Sequence, residues 1–125
     1  MLAYHDIEGL AGQDDYRTFN YSHPEFYAKG QEYLAVGMHA KTGSVGFASH
    51  TVTIGMGLWM NGRSITETEI VAFSWGRVGV PVIFVSGDDH LQRDLVTMPW
   101  LQFVVTKWAT SANTVQLRNV EAVHA

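Results

Sequence analysis

Cysteine is absent from the 125 residues. This excludes disulfides and thiolate metal sites, so any bound metal must rest on His, Asp or Glu. It leaves the compartment open, because a reducing cytosol merely permits free thiols. Positive charge is scarce: eight Lys and Arg face twelve Asp and Glu, for a formal net charge of -4. No basic patch is available to displace counterions from a phosphate backbone, and the scattered cations offer nothing to an anionic membrane surface. No apolar run approaches the ~18 residues of a membrane-spanning helix. The opening Met1-Leu2-Ala3-Tyr4 meets Asp6 and Glu8 at once, which leaves no apolar core for a secretory leader. Repeats and low-complexity segments are also missing. The expectation is a cytoplasmic protein with neither a nucleic-acid nor a membrane partner. What remains is apolar enough to fold, at 46% hydrophobic residues, and short enough for one domain over residues 1–125.

The chain is organised around Gly37-Met38-His39-Ala40-Lys41-Thr42-Gly43-Ser44-Val45-Gly46-Phe47-Ala48-Ser49-His50. Two histidines bracket a run of small residues that lets the backbone bend and leaves space beside the imidazoles. The apolar run Tyr33-Leu34-Ala35-Val36 precedes it, and Thr51-Val52-Thr53-Ile54, β-branched and alternating, follows it. Space beside histidines at a strand end suits a metal or hydrolytic site. Taken alone, the stretch reads first as a Gly-rich loop with two satisfied surface histidines.

Residues 1–5 read as a short strand ending in Asp6-Ile7-Glu8, with both carboxylates on one side of the extended chain. A loop containing Asp14 and Asp15 follows. Ser22-His23-Pro24-Glu25 starts a helix that should run to about Tyr33, with Phe26, Tyr27 and Leu34 facing inward. It then meets the next strand with no turn residue between, which is abnormal for a compact α/β fold. Residues 51–60 read as a strand. Asn61-Gly62 signals a hairpin with a short return over 63–65. Thr66 caps a helix from Glu67 to about Arg77, with Ile70, Val71, Ser74 and Val78 on one face and Gly79 at its end. Residues 80–86 form a nearly continuous apolar run, the mark of a central strand covered on both sides. Gly87-Asp88-Asp89 lies at its tip, and a short helix covers about 90–97. Residues 101–106 read as another strand with Lys107 just past it, and 109–125 as a loop and tail. Strands alternating with helices predict an α/β fold, a mostly parallel central sheet flanked by helices with a β-hairpin insert. Ligands collect beyond the carboxyl ends of such strands. Asp6, Glu8, His39, Asp88, Asp89 and Lys107 all fall there. Asp6, Glu8, His39 and Glu67 together offer hard oxygens and an imidazole, a mixture that suits Zn²⁺, Mn²⁺ or Fe²⁺.

Several segments resemble the zinc D-aminopeptidases of dipeptide operons. Asp6-Ile7-Glu8-Gly9-Leu10-Ala11-Gly12 is similar to that family's D-x-E-G-x-x-G opening. Gly37-Met38-His39-Ala40 with Ser49-His50 resembles its G-x-H-A and S-H segment, including the eleven-residue step between histidines. Asn61-Gly62-Arg63 followed by Glu67, the apolar strand ending in Gly87-Asp88-Asp89, and Val105-Thr106-Lys107 match further segments in family order. The resemblance implies one or two Zn²⁺ ions, with Asp6 bridging, Glu8 completing one metal, and His39 with Glu67 completing the other. It implies a direct catalytic role for His50, as nucleophile or base, on short peptides that begin with a D-residue, and it implies a homo-oligomer. For Asp88, Asp89 and Lys107 it implies a supporting role only. Glu69 reads as an exposed helix position, and His90 and His124 as surface residues. Family members are about twice as long and carry another strand, another histidine ligand and more helices before the G-x-H-A strand. Here Glu32-Tyr33-Leu34 runs straight into Ala35-Val36-Gly37. The chain therefore reads as internally shortened and cut at its carboxyl end. The metal held by Asp6 and Glu8 lacks its histidine. His5 points away from Asp6 by alternation, and His23 reaches the site only if its loop folds back. Asp6, His39 and Glu67 still make three ligands, and three plus water is the usual open zinc arrangement. The alternative is a catalytically inactive remnant serving as a metal-binding or assembly module. A small-ligand domain using the Gly-rich loop is a third reading.

Overall fold

The computed structural model describes residues 32–124. The expected first strand, the Asp14 and Asp15 loop and the helix starting at Ser22 lie outside the described residues, as do His5, Asp6, Glu8 and His23. Four strands form a sheet in the order β1-β4-β5-β6: β1 is Tyr33–Met38, β4 Val82–Asp88, β5 Gln102–Ser111 and β6 Thr114–Leu117. β1, β4 and β5 run parallel, and β6 pairs antiparallel with β5. Between β1 and β4 come a hairpin, β2 (Trp59–Met60) with β3 (Arg63–Ser64), and helix α1 (Glu67–Gly76). Helix α2 (Asp89–Asp94) links β4 to β5, and α3 (Val120–His124) follows β6. The sheet is thus mixed and mostly parallel, with flanking helices and a separate hairpin.

The central position of β4 explains its sequence. A strand with partners on both edges and helices packed on it must be apolar along its length, and Val82 and Val85 are buried with Ser86, Gly87 and Asp88. The core joins Ala35 and Met38 of β1 to Val71 and Trp75 of α1 and to Leu91, Leu95 and Met98 around α2. Trp75 is fully buried, with the Tyr33 ring 4.6 Å from it, centroid to centroid. Burying an aromatic of this size is the largest single apolar term available to a domain this small. Gly87 is fixed by contact: a Cβ there would stand 2.6 Å from the Met38 carbonyl oxygen and 2.7 Å from Leu91. Only glycine lets β4 lie this close to the end of β1, where the histidine loop begins.

Local signals place α1 and its hairpin. Asn61 (φ 52°) and Gly62 (φ 76°) make the two-residue turn with both dihedrals positive, the geometry that Asn-Gly favours. Thr66 caps α1 by accepting the Glu69 N–H, and the Glu69 carboxylate accepts the Thr66 N–H in return, a capping box. A bond from Val80 N–H to the Trp75 carbonyl closes the far end around Gly79.

Several expectations need correction. Tyr33 opens β1 instead of ending a helix, and Leu34 is an exposed strand residue. Residues 51–60 do not form a strand: apart from β2 there is only a Thr51–Thr53 bridge, and the alternating Val52 and Ile54 point into solvent. β5 continues through Lys107 to Ser111, so Lys107 lies within the strand, and 109–117 is a hairpin, not a loop. Glu69 is not an exposed position: its side chain is 9% exposed, 2.6 Å from Arg63, and accepts from the Thr97 hydroxyl. The buried face of α1 is Thr68, Val71 and Trp75, one step around from the expected stripe.

Candidate metal centre

His39 stands immediately after β1, at the carboxyl end of the parallel strands. Glu67 is the first residue of α1, where the helix dipole favours an anion. His50 closes the loop between them. One nitrogen of each imidazole and one Glu67 oxygen all lie within 4.8 Å of one another. His39 Nε2 is 3.8 Å and His50 Nε2 3.9 Å from Glu67 Oε1. The His39 and Glu67 side chains are each 12% exposed, His50 31%.

Hydrogen bonds fix which nitrogen is free. His39 Nδ1 lies 3.1 Å from the Ala40 carbonyl, and His50 Nδ1 2.7 Å from the Ala48 carbonyl. A carbonyl can only accept, so both Nδ1 atoms carry a proton, and in the neutral ring Nε2 is the nitrogen that keeps the lone pair. Backbone carbonyls holding the remote imidazole N–H are the usual outer support of metal-binding histidines. Two imidazoles and a carboxylate are donors that zinc accepts, so the residues present fit such an ion. The rings are stacked, however, with centroids 3.8 Å apart and planes 17° from parallel. An imidazole binds a metal in its own ring plane. Two nearly parallel rings have no shared in-plane point within bonding reach, so in this arrangement only one of the two could ligate an ion at a time, together with Glu67.

Burial holds the His39 imidazole below its ordinary value of 6.5. Its hydrogen bond to Ala40 pushes upward, the neighbouring His50 pushes further down, and Glu67 pushes up; burial is the largest of these. His39 is therefore neutral at pH 7 and ready to donate its lone pair. The sign for stability follows: as pH falls below about 6.5, the unfolded chain takes the proton before the folded one. Metal-free protein should lose stability from there downward, until His39 itself titrates. Urea melts between pH 5 and 8 should show this slope, and His39→Gln should flatten it.

The loop that carries these groups is pinned from several sides. Asp94 accepts from Lys41 N–H (3.2 Å) and the Ser44 hydroxyl (2.7 Å), and its other oxygen is 3.2 Å from Lys41 Nζ. Asp88, fully buried, accepts from Phe47 N–H and Leu91 N–H, both at 2.8 Å. Asp89 accepts from Ala109 N–H and from Arg93. Lys107 Nζ sits 5.1 Å above the Phe47 ring, a cation–π contact. The supporting role expected of Asp88, Asp89 and Lys107 is what these contacts describe. His90 is half-buried beside Asp89 rather than a surface residue. On either side of His50, Ala48 (φ 50°) and Val52 (φ 65°) adopt the left-handed region, costly for a β-branched residue. Val52 thereby aims its N–H at Glu67 Oε1, 2.6 Å away. Neither Asp94 nor Val52 was singled out by sequence, and no local signal marks them.

No curated protein matches the sequence. Among solved structures, the zinc-dependent D-aminopeptidase DppA from Bacillus subtilis, described as a self-compartmentalizing protease, superposes with a TM-score of 0.63 at 26% identity. The match covers 72% of this chain and 35% of that one, so the chain spans about a third of the length of this relative. A sequence profile of the D-aminopeptidase family matches residues 28–125. With the profile covering most of its length, the chain belongs to the D-aminopeptidase family.

Proposed function

We propose that this chain is a zinc-dependent aminopeptidase that removes the N-terminal D-amino acid from short peptides. The carrying observation is the convergence of His39, His50 and Glu67 within 4.8 Å, with both Nε2 lone pairs free. In this reading residues 1–125 are one cytoplasmic domain that self-associates, the relative being described as self-compartmentalizing. Among the described residues no helix is long and apolar enough to cross a membrane.

His39 and Glu67 would hold one zinc, with Asp6 as the further ligand that the family resemblance implies, and Asp6 with Glu8 would hold a second where two are bound. Zinc supplies Lewis acidity toward the peptide carbonyl. The chain's own groups do the rest. Val52 N–H keeps Glu67 in place, and Ala40 keeps the His39 lone pair outward. His50, stacked against His39, is in this reading the ring that would not ligate the metal. With its Nδ1 proton held by Ala48, His50 Nε2 takes a proton from the attacking group and returns it to the leaving amine. Alternatively it attacks as the nucleophile.

The test is elemental analysis of the purified protein together with D-Ala-D-Ala hydrolysis in added zinc. At least about one zinc per chain is expected, with release of D-alanine. Absence of zinc binding would remove the reading. A second reading is favoured by the stacking of His39 on His50, which lets only one of the two rings ligate an ion at a time: a catalytically inactive remnant that binds metal or serves in assembly. Stoichiometric zinc without hydrolysis selects it.

A further inference from the structure

The loop that presents His50 also forms one wall of a cleft of about 590 Å³. The opposite wall is the turn of the β5–β6 hairpin, Ala112 and Asn113. Apart from His50 the lining carries no ionisable side chain. Ala48, Val52 and Ile54 are aliphatic, and Ser44, Ser49 and Thr53 bear hydroxyls. A charged group entering this space would shed water without finding an opposite charge, whereas a neutral one would not.

The hairpin tip is built, not loose. Ala48 N–H donates to the Ala112 carbonyl at 2.9 Å, and Asn113 N–H donates to the Ser111 hydroxyl at 3.2 Å. Hydroxyls of Thr110 and Ser111 both reach Thr114, at 2.8 and 2.7 Å. The Ala48 carbonyl in turn holds His50 Nδ1. The two peptide units flanking Ala48 therefore tie the tip to the His50 ring. The Asn113 backbone N–H is used within the turn, but among the described residues its carboxamide makes no hydrogen bond. A carboxamide offers both a donor and an acceptor, which is what a peptide main chain presents in return.

We propose that the β5–β6 tip is the specificity wall of the site: the cleft takes the uncharged side chain of the peptide residue following the one released, and Asn113, by binding the peptide main chain beside it, determines that choice. This rests on the hydrolase reading. The cleft is joined to the metal group by His50, while neither His39 nor Glu67 lines it, so it accommodates the part of the peptide beyond the released residue.

Two measurements test it. With zinc-loaded protein, kcat/KM is compared for peptides of D-Ala followed by a neutral, an acidic or a basic residue. The neutral peptide should lead by about tenfold, since one unit charge a few ångströms away in a half-open cleft is worth a factor of that order. Asn113→Asp should raise the basic-to-acidic ratio about tenfold, and Asn113→Lys should lower it similarly. Damage to the fold would depress all three peptides together and leave the ratio alone, and an unchanged ratio overturns the proposal. Independently, D-Ala-D-Ala is titrated into ¹⁵N-labelled protein. The amide signals of Ala112, Asn113 and residues 48–54 should move. If they stay still the cleft is not the subsite, whether or not hydrolysis is seen. If they move without hydrolysis, the subsite stands and the hydrolase reading falls.

Discussion

Replacing His39 with alanine is expected to weaken zinc binding by more than about 100-fold, the upper end of what loss of an outer-shell partner costs. His50→Ala should leave zinc affinity within about tenfold of the parent, the lower end of that outer-shell range, and abolish hydrolysis. The distinction follows from the stacking. Rings 3.8 Å apart and 17° from parallel cannot both hold one ion in their planes, and His39 is the more buried of the two, held neutral by burial. Glu67→Gln should resemble His39→Ala, since it removes the anionic oxygen that faces both Nε2 atoms. Competition with a chromogenic chelator measures all three. If His50→Ala lost as much affinity as His39→Ala, His50 would be a ligand, and the proton-transfer role assigned to it would have no group to perform it.

The elements that sequence could locate are those whose cause is local. The apolar run that becomes β4, the Asn61-Gly62 turn and the Thr66 cap each carry their own signal within a few residues. The histidine pair was legible for a different reason, as part of an ordered set of motifs shared with a family. Failures arose where a distant partner decides. Residues 51–54 alternate as a strand should, but no neighbouring strand pairs with them, and their apolar side chains stay exposed. The end of β5 is polar and half-exposed, and its turn, Ala112–Asn113, lacks the glycine that marks a two-residue hairpin. Glu69 was misjudged because Arg63, from the preceding hairpin, and Thr97, 28 residues away, cover it. Asp94 was not visible at all, since the groups it holds lie 53 and 50 residues earlier. The stacking of His39 on His50, which separates ligand from neighbour, is set by the same non-local pinning.

Asp88→Ala should be strongly destabilising although it touches neither histidine nor Glu67. The carboxylate is fully buried, yet both oxygens are engaged: Oδ1 by Leu91 N–H at the start of α2, Oδ2 by Phe47 N–H in the histidine loop. Hydrogen bonds to a charged group are worth about 1.5–3 kcal/mol each, and removing the acceptor strands two donors. A loss of about 3–5 kcal/mol is expected by urea unfolding, a large share of the total stability of a domain this size. Asp88→Asn keeps one acceptor oxygen but turns an NH₂ toward a backbone donor, so about half of that loss should remain. The backbone at Gly46 packs so closely on Asp88 that a Cβ there would lie 2.7 Å from Oδ2, which leaves no room for a larger replacement. Because Phe47 is three residues before His50, loosening this anchor also frees the loop. Zinc affinity of the Asn variant should therefore fall about 10-fold or more, although Asp88 lies outside the His39, His50 and Glu67 group. Unchanged unfolding and unchanged zinc affinity in Asp88→Asn would mean that the loop's other anchors, Asp94 among them, hold it without the Asp88 charge.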